Sequence, residues 1–425
     1  MKVLFISAIT EEINMPTSPL GLAWVVAATK KAGHNTVEVL DLKAVKDPHL
    51  ALKDTITRFR PDIIGISVRN IDDQRMDDTK FLLTPIKEVV SSCRGLSKAK
   101  IILGGAGYSI CPASILAYLG ADMGIQGEGE GAFPALLERI QKGDDLSDIP
   151  GLYLSDRGLM GTRRFPENLD QLPFPDLEAL TSYLPKDREI LLPVQTRRGC
   201  PLDCSYCSTA SIEGRHIRKR SPDRVIQELT RYKEAGFSRF YFVDNTFNLP
   251  SSYARTLCSK MAMAGLEIAW QCILYPVEIE KDLVKEMARA GCKEASVGFE
   301  SGSERILRKM NKRFKPEEVR VTCERLKDHG IRRLGFLLLG GPDETRESVE
   351  ESLGFADSLC LDALKISIGI RIYPHTELAK VAVEEGIIAP EDDLLFPKFY
   401  LAKGLKGWIH QTVREWTADR PYCLT

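Results

Sequence analysis

The stretch "TRRGCPLDCSYC", residues 196 to 207, places cysteines at Cys200, Cys204 and Cys207 in a Gly/Pro-broken segment. The chain has 11 cysteines, but only these three have ligand-like spacing. The others are scattered and read as small apolar residues of a reducing compartment. A structural zinc site takes four ligands, usually as two close pairs, and the nearest further donor here is His216 in the basic loop "GRHIRKRS". Three cysteines on a [4Fe–4S] cluster leave one iron without a protein ligand, free to bind a small molecule. Open coordination is a catalytic arrangement, by the logic that separates catalytic from structural zinc.

Two sets of elements must position that loop. The first ~140 residues alternate apolar runs with amphipathic stretches: "KVLFISA", "TVEVLDL", "PDIIGISV", "AKIILGGAG" and "ADMGIQGEGE" read as strands of a doubly wound parallel sheet, with functional loops at their carboxyl ends. A Pro-rich connector follows. From residue 190 six strand candidates recur, each followed by a helical segment: "LLPVQTRR", "RFYFVDNTF", "EIAWQCIL", "EASVGFES", "RLGFLLLGG" and "LKISIGIRIYP". Six such units predict an incomplete barrel of the (β/α)6 type, with its site at the strand C-termini. The fold class is therefore α/β, divided as 1–145, a linker 146–189, a barrel 190–385 and a C-terminal extension 386–425.

At 425 residues, two or three domains are expected. With 44% hydrophobic and 28% charged residues the composition is that of an ordinary globular protein, and the net charge of −1 offers no broad field for nucleic acid or an anionic membrane. The N-terminus reads as a first strand, not a signal peptide, and no run of ~18 apolar residues suggests a membrane span. The expected location is cytoplasmic.

The cysteine motif on the loop after the first barrel strand resembles the radical S-adenosylmethionine (radical SAM) superfamily, in which the open iron chelates SAM and the reduced cluster cleaves it. The resemblance spans residues ~190 to 390. Tyr206 matches the aromatic that lies near the adenine. "VGFESGSERILRKMNK" resembles the fourth-strand segment, which puts Glu300 and Ser301 near the ribose or methionine of SAM. "FLLLGGPDET" resembles the fifth-strand glycine motif, with Gly340, and "RIYPHTEL" the sixth-strand motif, with His375 where the family often has glycine. Each has a plainer reading. "GGPDE" can be a strand-to-helix turn, Glu300 a helix cap, and Arg371 either a holder of the SAM carboxylate or the partner of a structural carboxylate. The basic loop Arg215 to Arg220 can be a solvated face or can steady anionic ligands.

A dinucleotide fold would want G-x-G-x-x-G after its first strand, and "FISAITEEIN" has no glycine. The glycines lie instead in "LGGAGYS" and "GIQGEGEGAF", where small residues let backbone approach a large flat ligand. Together with "SPLGLAWVVAATKKAGH" and "PDIIGISVRN", these segments resemble the cobalamin-binding domain of the B12-dependent radical SAM class. That resemblance implies cobalamin contacts from Ser67, Arg69, Asn70, Gly104, Gly105, Tyr108, Gly127 and Glu128. Many cobalamin domains place a histidine cobalt ligand after the first strand, but "SAITEEINMPTSPLG" holds none, and His34 and His49 read as surface residues. Cobalamin is expected to bind without histidine, with Arg69 or Asn70 nearest the cobalt.

The resemblance implies a [4Fe–4S] cluster, SAM and cobalamin as cofactors, and a methyltransferase that moves a methyl group from SAM through methylcobalamin to an unactivated sp3 carbon. A ferredoxin- or flavodoxin-like donor would supply electrons. The substrate would be a small molecule or a peptide or protein side chain, for example in methyl-coenzyme M reductase. The alternatives are a cobalamin-dependent oxidoreductase or cyclase without methyl transfer and, in another class, a cobalamin-binding sensor or carrier.

Overall fold

The computed structural model describes residues 1–8, 18–181, 190–277 and 279–424. Most of the loop after the first strand, residues 9–17, therefore lies outside the described residues. The N-terminal sheet has seven strands: β1 (Val3–Ser7), β2 (Val37–Asp41), β3 (Ile63–Ser67), β4 (Lys100–Gly104), β5 (Met123–Ile125), β6 (Leu152–Leu154) and β7 (Gly158–Leu159), in the order β2-β1-β3-β4-β5-β6-β7. The first five run parallel. All five residues of β1, "VLFIS", are buried, as befits a central strand covered on both faces. The chain leaves β1 toward β2 on one side and returns to β3 on the other, so the topological switch point lies between the carboxyl ends of β1 and β3.

The connector is not the plain linker that its prolines suggest. β6 and β7 fall within 146–189 and extend the N-terminal sheet by antiparallel pairing onto β5, so sheet structure runs on to at least Leu159. The cause is the alternation in "GLYLSDRGLM", which turns back on itself at Gly158, a residue with φ 72°.

The second sheet is built from β8 (Leu192–Val194), then, past a small ribbon formed by β9 (Arg197–Arg198) and β10 (Arg218–Lys219), from β11 (Arg239–Phe242), β12 (Ala269–Leu274), β13 (Cys292–Glu300), β14 (Arg332–Leu339) and β15 (Ala363–Ile368). These six are parallel and neighbour one another in chain order, the incomplete barrel that was expected. A second ribbon, β16 (Ile370–Arg371) with β17 (Phe399–Tyr400), caps its far end. The last strand, β18 (Cys423–Leu424), pairs parallel with β15, so the C-terminal extension closes the edge of the barrel sheet.

That extension also fastens the two halves together. Leu395 is buried in the apolar core on one face of the N-terminal sheet, and Phe396 packs on Phe81 with ring centroids 4.9 Å apart. His410 lies 2.7 Å from Asp77, in the loop that follows β3. The other face of the N-terminal sheet, through Phe5, Trp24 and Phe133, shares one continuous core with the barrel. No described helix is long and apolar enough to cross a membrane.

Candidate active site

The ribbon of β9 and β10 pinches off the cysteine loop, with Arg198 opposite Arg218 and Arg197 opposite Lys219. Asp244, at the end of β11, sets the entry to that loop: its buried carboxylate accepts from Thr196 N at 2.7 Å, Thr196 Oγ1 at 2.6 Å and Arg197 N at 3.1 Å. Gly199 has φ 89°, and a Cβ there would lie 2.1 Å from His216 O, so only glycine fits beneath the returning strand. The loop is then tied down by Cys200 N to Gly214 O at 3.0 Å, Ser205 N to Met310 O at 3.0 Å, and Arg313 to Asp203 at 2.8 Å.

The three thiols feel one another within this loop. Burial pushes Cys200 up to about 11, with Cys207 and Cys204 adding to the rise. Burial also raises Cys204, but the ammonium of Lys312 acts against it. Lys312 is buried and pairs with Glu300 at 3.1 Å, with its Nζ 5.2 Å from the centre of the Tyr206 ring. Burial opposes its charge, yet Glu300, Tyr206 and Cys204 outweigh that effect and hold the ammonium well above its usual range. Among the described residues no three His, Cys, Asp or Glu side chains converge on one metal position, as a zinc site would require. A four-iron cluster takes each thiolate on a different iron, and three neighbouring cysteines on one loop beside a buried cation suit such a ligand.

Of the residues expected around SAM, Tyr206 and Glu300 meet at Lys312 beside the cysteines. Glu300 adopts φ 60° where the β13–β14 register slips between Gly298 and Glu300, a bulge that aims its carboxylate at Lys312. It is therefore not the helix cap. Three others are engaged elsewhere. Ser301 is fully buried, its hydroxyl 2.9 Å from Ser352 Oγ and accepting from Ser303 N at 3.1 Å, so it secures the strand end to the helix Arg346–Ser358. Gly340 donates its N–H to Glu344 and accepts from Ala402 N at 3.0 Å, so its N–H is already engaged within the protein. Arg371 is buried and donates to Asp72 at 2.8 Å and to Leu394 O at 2.9 Å. Its partner here is a buried carboxylate from the other half of the molecule. His375 sits at φ 61°, a left-handed conformation that glycine adopts without strain.

A cavity of about 520 Å³ opens at the carboxyl ends of β1, β3 and β4. Ser67, Arg69, Gly104, Gly105, Gly127 and Glu128 line it from the N-terminal side, while Gln195, Arg198, Glu213 and Asn245 line it from the barrel side. At Gly104 a Cβ would meet nothing nearer than Ile125 O at 4.0 Å, so the bare backbone widens the cavity. At Gly105, with φ 103°, a Cβ would lie 2.6 Å from Val68 O, so this glycine answers the protein's own packing as well. Arg69 is reached by solvent through the cavity, yet it is walled in enough that burial lowers its guanidinium below the usual value, with Tyr241 acting the other way.

Two expected cobalamin contacts lie away from the cavity. Tyr108 is fully buried, its hydroxyl in the space left by Gly124, where a Cβ would be 2.1 Å away. Asn70 is not on the wall, and its buried Oδ1 has no partner among the described residues. Glu128 borders the cavity, but its carboxylate is occupied: Arg198 donates to it at 2.9 Å and Arg218 at 2.5 Å, while Arg198 also reaches Glu130 at 2.6 Å. All four side chains are less than a tenth exposed, and Arg198 stacks over Trp24 with 5.4 Å to the ring centre. Arg198 precedes Cys200 by two residues, so this network ties the cysteine loop to the loop after β5. Within the basic loop, Arg218 and Arg220 thus turn inward, to Glu128 and Glu228, whereas Arg215 and Lys219 remain exposed.

Glu213 drew no attention in the sequence because an isolated glutamate carries no motif. Its carboxylate accepts from Gly199 N at 3.1 Å, Gln195 Nε2 at 3.1 Å and Asn245 Nδ2 at 2.7 Å, and burial raises it above the usual carboxylate value. Standing between cavity and cysteine loop, it joins their walls.

The radical SAM superfamily model matches residues 194–356 and the B12 binding domain model residues 6–137. An uncharacterized methyltransferase of Pyrococcus horikoshii is 28% identical over 91% of this chain and 84% of its own length. The tryptophan 2-C-methyltransferase of Streptomyces laurentii is 22% identical over 88% of this chain and 73% of its own. In fold, the radical SAM methyltransferase TsrM of Kitasatospora setae, solved with tryptophan and a SAM analogue, superposes with a TM-score of 0.86 at 21% identity, over 99% of this chain and 90% of that one. The chain thus joins a B12 binding domain to a radical SAM domain, the pairing found in cobalamin-dependent radical SAM enzymes, whose cofactors are a [4Fe–4S] cluster, SAM and cobalamin, and the relatives it resembles bear methyltransferase names.

Proposed function

We propose that the protein transfers a methyl group from SAM, by way of cobalamin, to an unactivated sp3 carbon of a small molecule or of a peptide or protein side chain. The observation that supports this is the cavity's double wall: backbone and small residues at the carboxyl edge of the N-terminal sheet face Gln195, Arg198, Glu213 and Asn245 of the barrel mouth across one space. When bound, cobalamin supplies methyl carriage and the cluster supplies reductive cleavage of SAM. The chain's own residues hold, orient and enclose.

In this reading Cys200, Cys204 and Cys207 ligate the cluster, and Lys312 offsets negative charge beside Cys204. Tyr206 and Glu300 border SAM. Ser67, Gly104, Gly105 and Gly127 would hold the corrin, with Arg69 beside them on the cavity wall, since the loop after β1 lacks histidine. A shared, enclosed space raises the effective concentration of the reacting groups and excludes water from radical chemistry. The test is anaerobic turnover of the reconstituted enzyme with methyl-deuterated SAM and candidate substrates. A product heavier by one labelled methyl, formed together with S-adenosylhomocysteine, is the expected result. Deoxyadenosine without methyl gain would replace this reading with a cyclase or oxidoreductase.

A further inference from the structure

The barrel is incomplete, and the loop that follows β3 reaches the side where its last strand, β15, runs. Asp72 of that loop is held by Arg371, Asp77 by His410, and Met76 fills the place that a side chain at Gly369 would take. The loop delivers two arginines to different sides of the barrel. Arg69 lines the cavity and acts on Tyr241 of β11, whereas Arg75 is exposed and stands close enough to Lys365 of β15 to repel its charge.

Lys365 lies on the strand face that looks into the barrel. Leu364, Ile366 and Ile368 pack in the hydrophobic core, while Lys365, Ser367 and Phe336, the residue paired with Lys365 on β14, belong to no core cluster. Strand alternation therefore turns them to the interior. Lys365 is half-buried, and burial first, then Arg75, pushes its ammonium below the usual value. Neither the Lys365 ammonium nor the Arg75 guanidinium has a hydrogen bond or ion pair among the described residues. Asp73, two residues before Arg75, is engaged by the loop's own backbone, accepting from Arg75 N and Lys80 N at 3.2 Å each.

Two like charges brought together, one of them half-buried and neither neutralised, cost the fold free energy that an incoming anion would recover. The pair does not line the interdomain cavity, and the cysteine loop has a separate cation in Lys312. The two positions assigned to the cofactors are thus distinct from this one. We propose that Lys365 and Arg75 bind an anionic group of the substrate, a carboxylate or a phosphate-type group, inside the barrel; this deepens the methyl-transfer reading and rests on it. An unactivated carbon offers no handle of its own, so a charged group elsewhere in the molecule must set its position, and Phe336 beside Lys365 supplies an apolar wall for the remainder.

The test uses reconstituted enzyme with cobalamin and SAM already bound, so that the anions of both cofactors are in place. Wild type, Lys365→Met and Lys365→Arg are dialysed to equilibrium against radiolabelled inorganic phosphate and, separately, radiolabelled benzoate. Wild type is expected to hold one anion per chain, Lys365→Met to bind it about tenfold less tightly and Lys365→Arg to restore most of the affinity, with SAM affinity and cobalamin content equal in all three. Preference for phosphate assigns a phosphate or phosphonate to the substrate, and preference for benzoate a carboxylate. Equal binding of both anions by wild type and Lys365→Met overturns the proposal. So does a selective loss of SAM or cobalamin from Lys365→Met, because the anion held would then be a cofactor's. Should that variant fail to fold, Arg75→Gln, on the exposed loop, carries the same comparison. A wild-type enzyme that binds the anion but converts no SAM, to either S-adenosylhomocysteine or deoxyadenosine, would instead overturn the methyl-transfer reading.

Discussion

The two halves bring their strand ends to a common space by opposite means. The N-terminal sheet ends in Ser67, Gly104 and Gly105, small residues that leave backbone bare and the cavity wide. The barrel ends in side chains that carry charge: Arg198 after β8, Asp244 after β11, Glu300 at the bulge of β13 and Arg371 in β16. One half shapes a hollow and the other sets a field. The seam joins the two strategies, because Asp72 and Glu128 come from loops of the hollow and are held by Arg371 and Arg198 of the barrel. The cobalamin side and the cluster side are in this way registered against each other by buried ion pairs, which are directional in a way that apolar contact is not.

The comparison breaks most sharply at Cys204→Ala. This variant should lose cluster iron and all SAM cleavage while retaining cobalamin, as shown by iron analysis alongside the cobalamin spectrum. Next is Arg198→Met, which leaves Glu128 and Glu130 buried with a partner gone. A loss of about 3–5 kcal/mol in denaturant unfolding is expected. Gly105→Ala tests the hollow itself. Its φ of 103° and the nearby Val68 carbonyl should make it about 1–3 kcal/mol less stable and poorer in cobalamin, with iron content unchanged. The smallest effect is expected from Glu344. Burial raises its carboxyl to about 7, against the N–H bonds from Gly340 and Gly341. A raised carboxyl keeps its proton in the folded chain and loses it in the unfolded one between the ordinary value, 4.5, and about 7. Stability should therefore fall as pH rises through that window and level off above it, by about 1–3 kcal/mol, and Glu344→Gln should flatten this part of the curve.

Much of this plan could be read from periodicity and spacing. Buried apolar runs announced five parallel strands and then six more, and the cysteine spacing marked the loop that matters. Residues whose meaning depends on distant partners stayed hidden. Arg371 finds Asp72 at a sequence separation of 299, and Arg198 finds Glu128 at 70, so neither pair leaves a local pattern. Tyr108 misled for a different reason. In "LGGAGYS" it looks like part of a ligand-contacting motif, but the missing Cβ of Gly124 lets its ring pass into the core. The strands in the connector are two and three residues long, too short for alternation to outweigh the surrounding prolines.

The central claim is that cavity and cysteine loop form one chamber. Electron paramagnetic resonance of the enzyme carrying both cob(II)alamin and the reduced cluster tests it without knowledge of the substrate. Magnetic coupling between the two centres, lost in Cys204→Ala, is the predicted result; a spectrum that is the plain sum of two isolated centres would contradict the account.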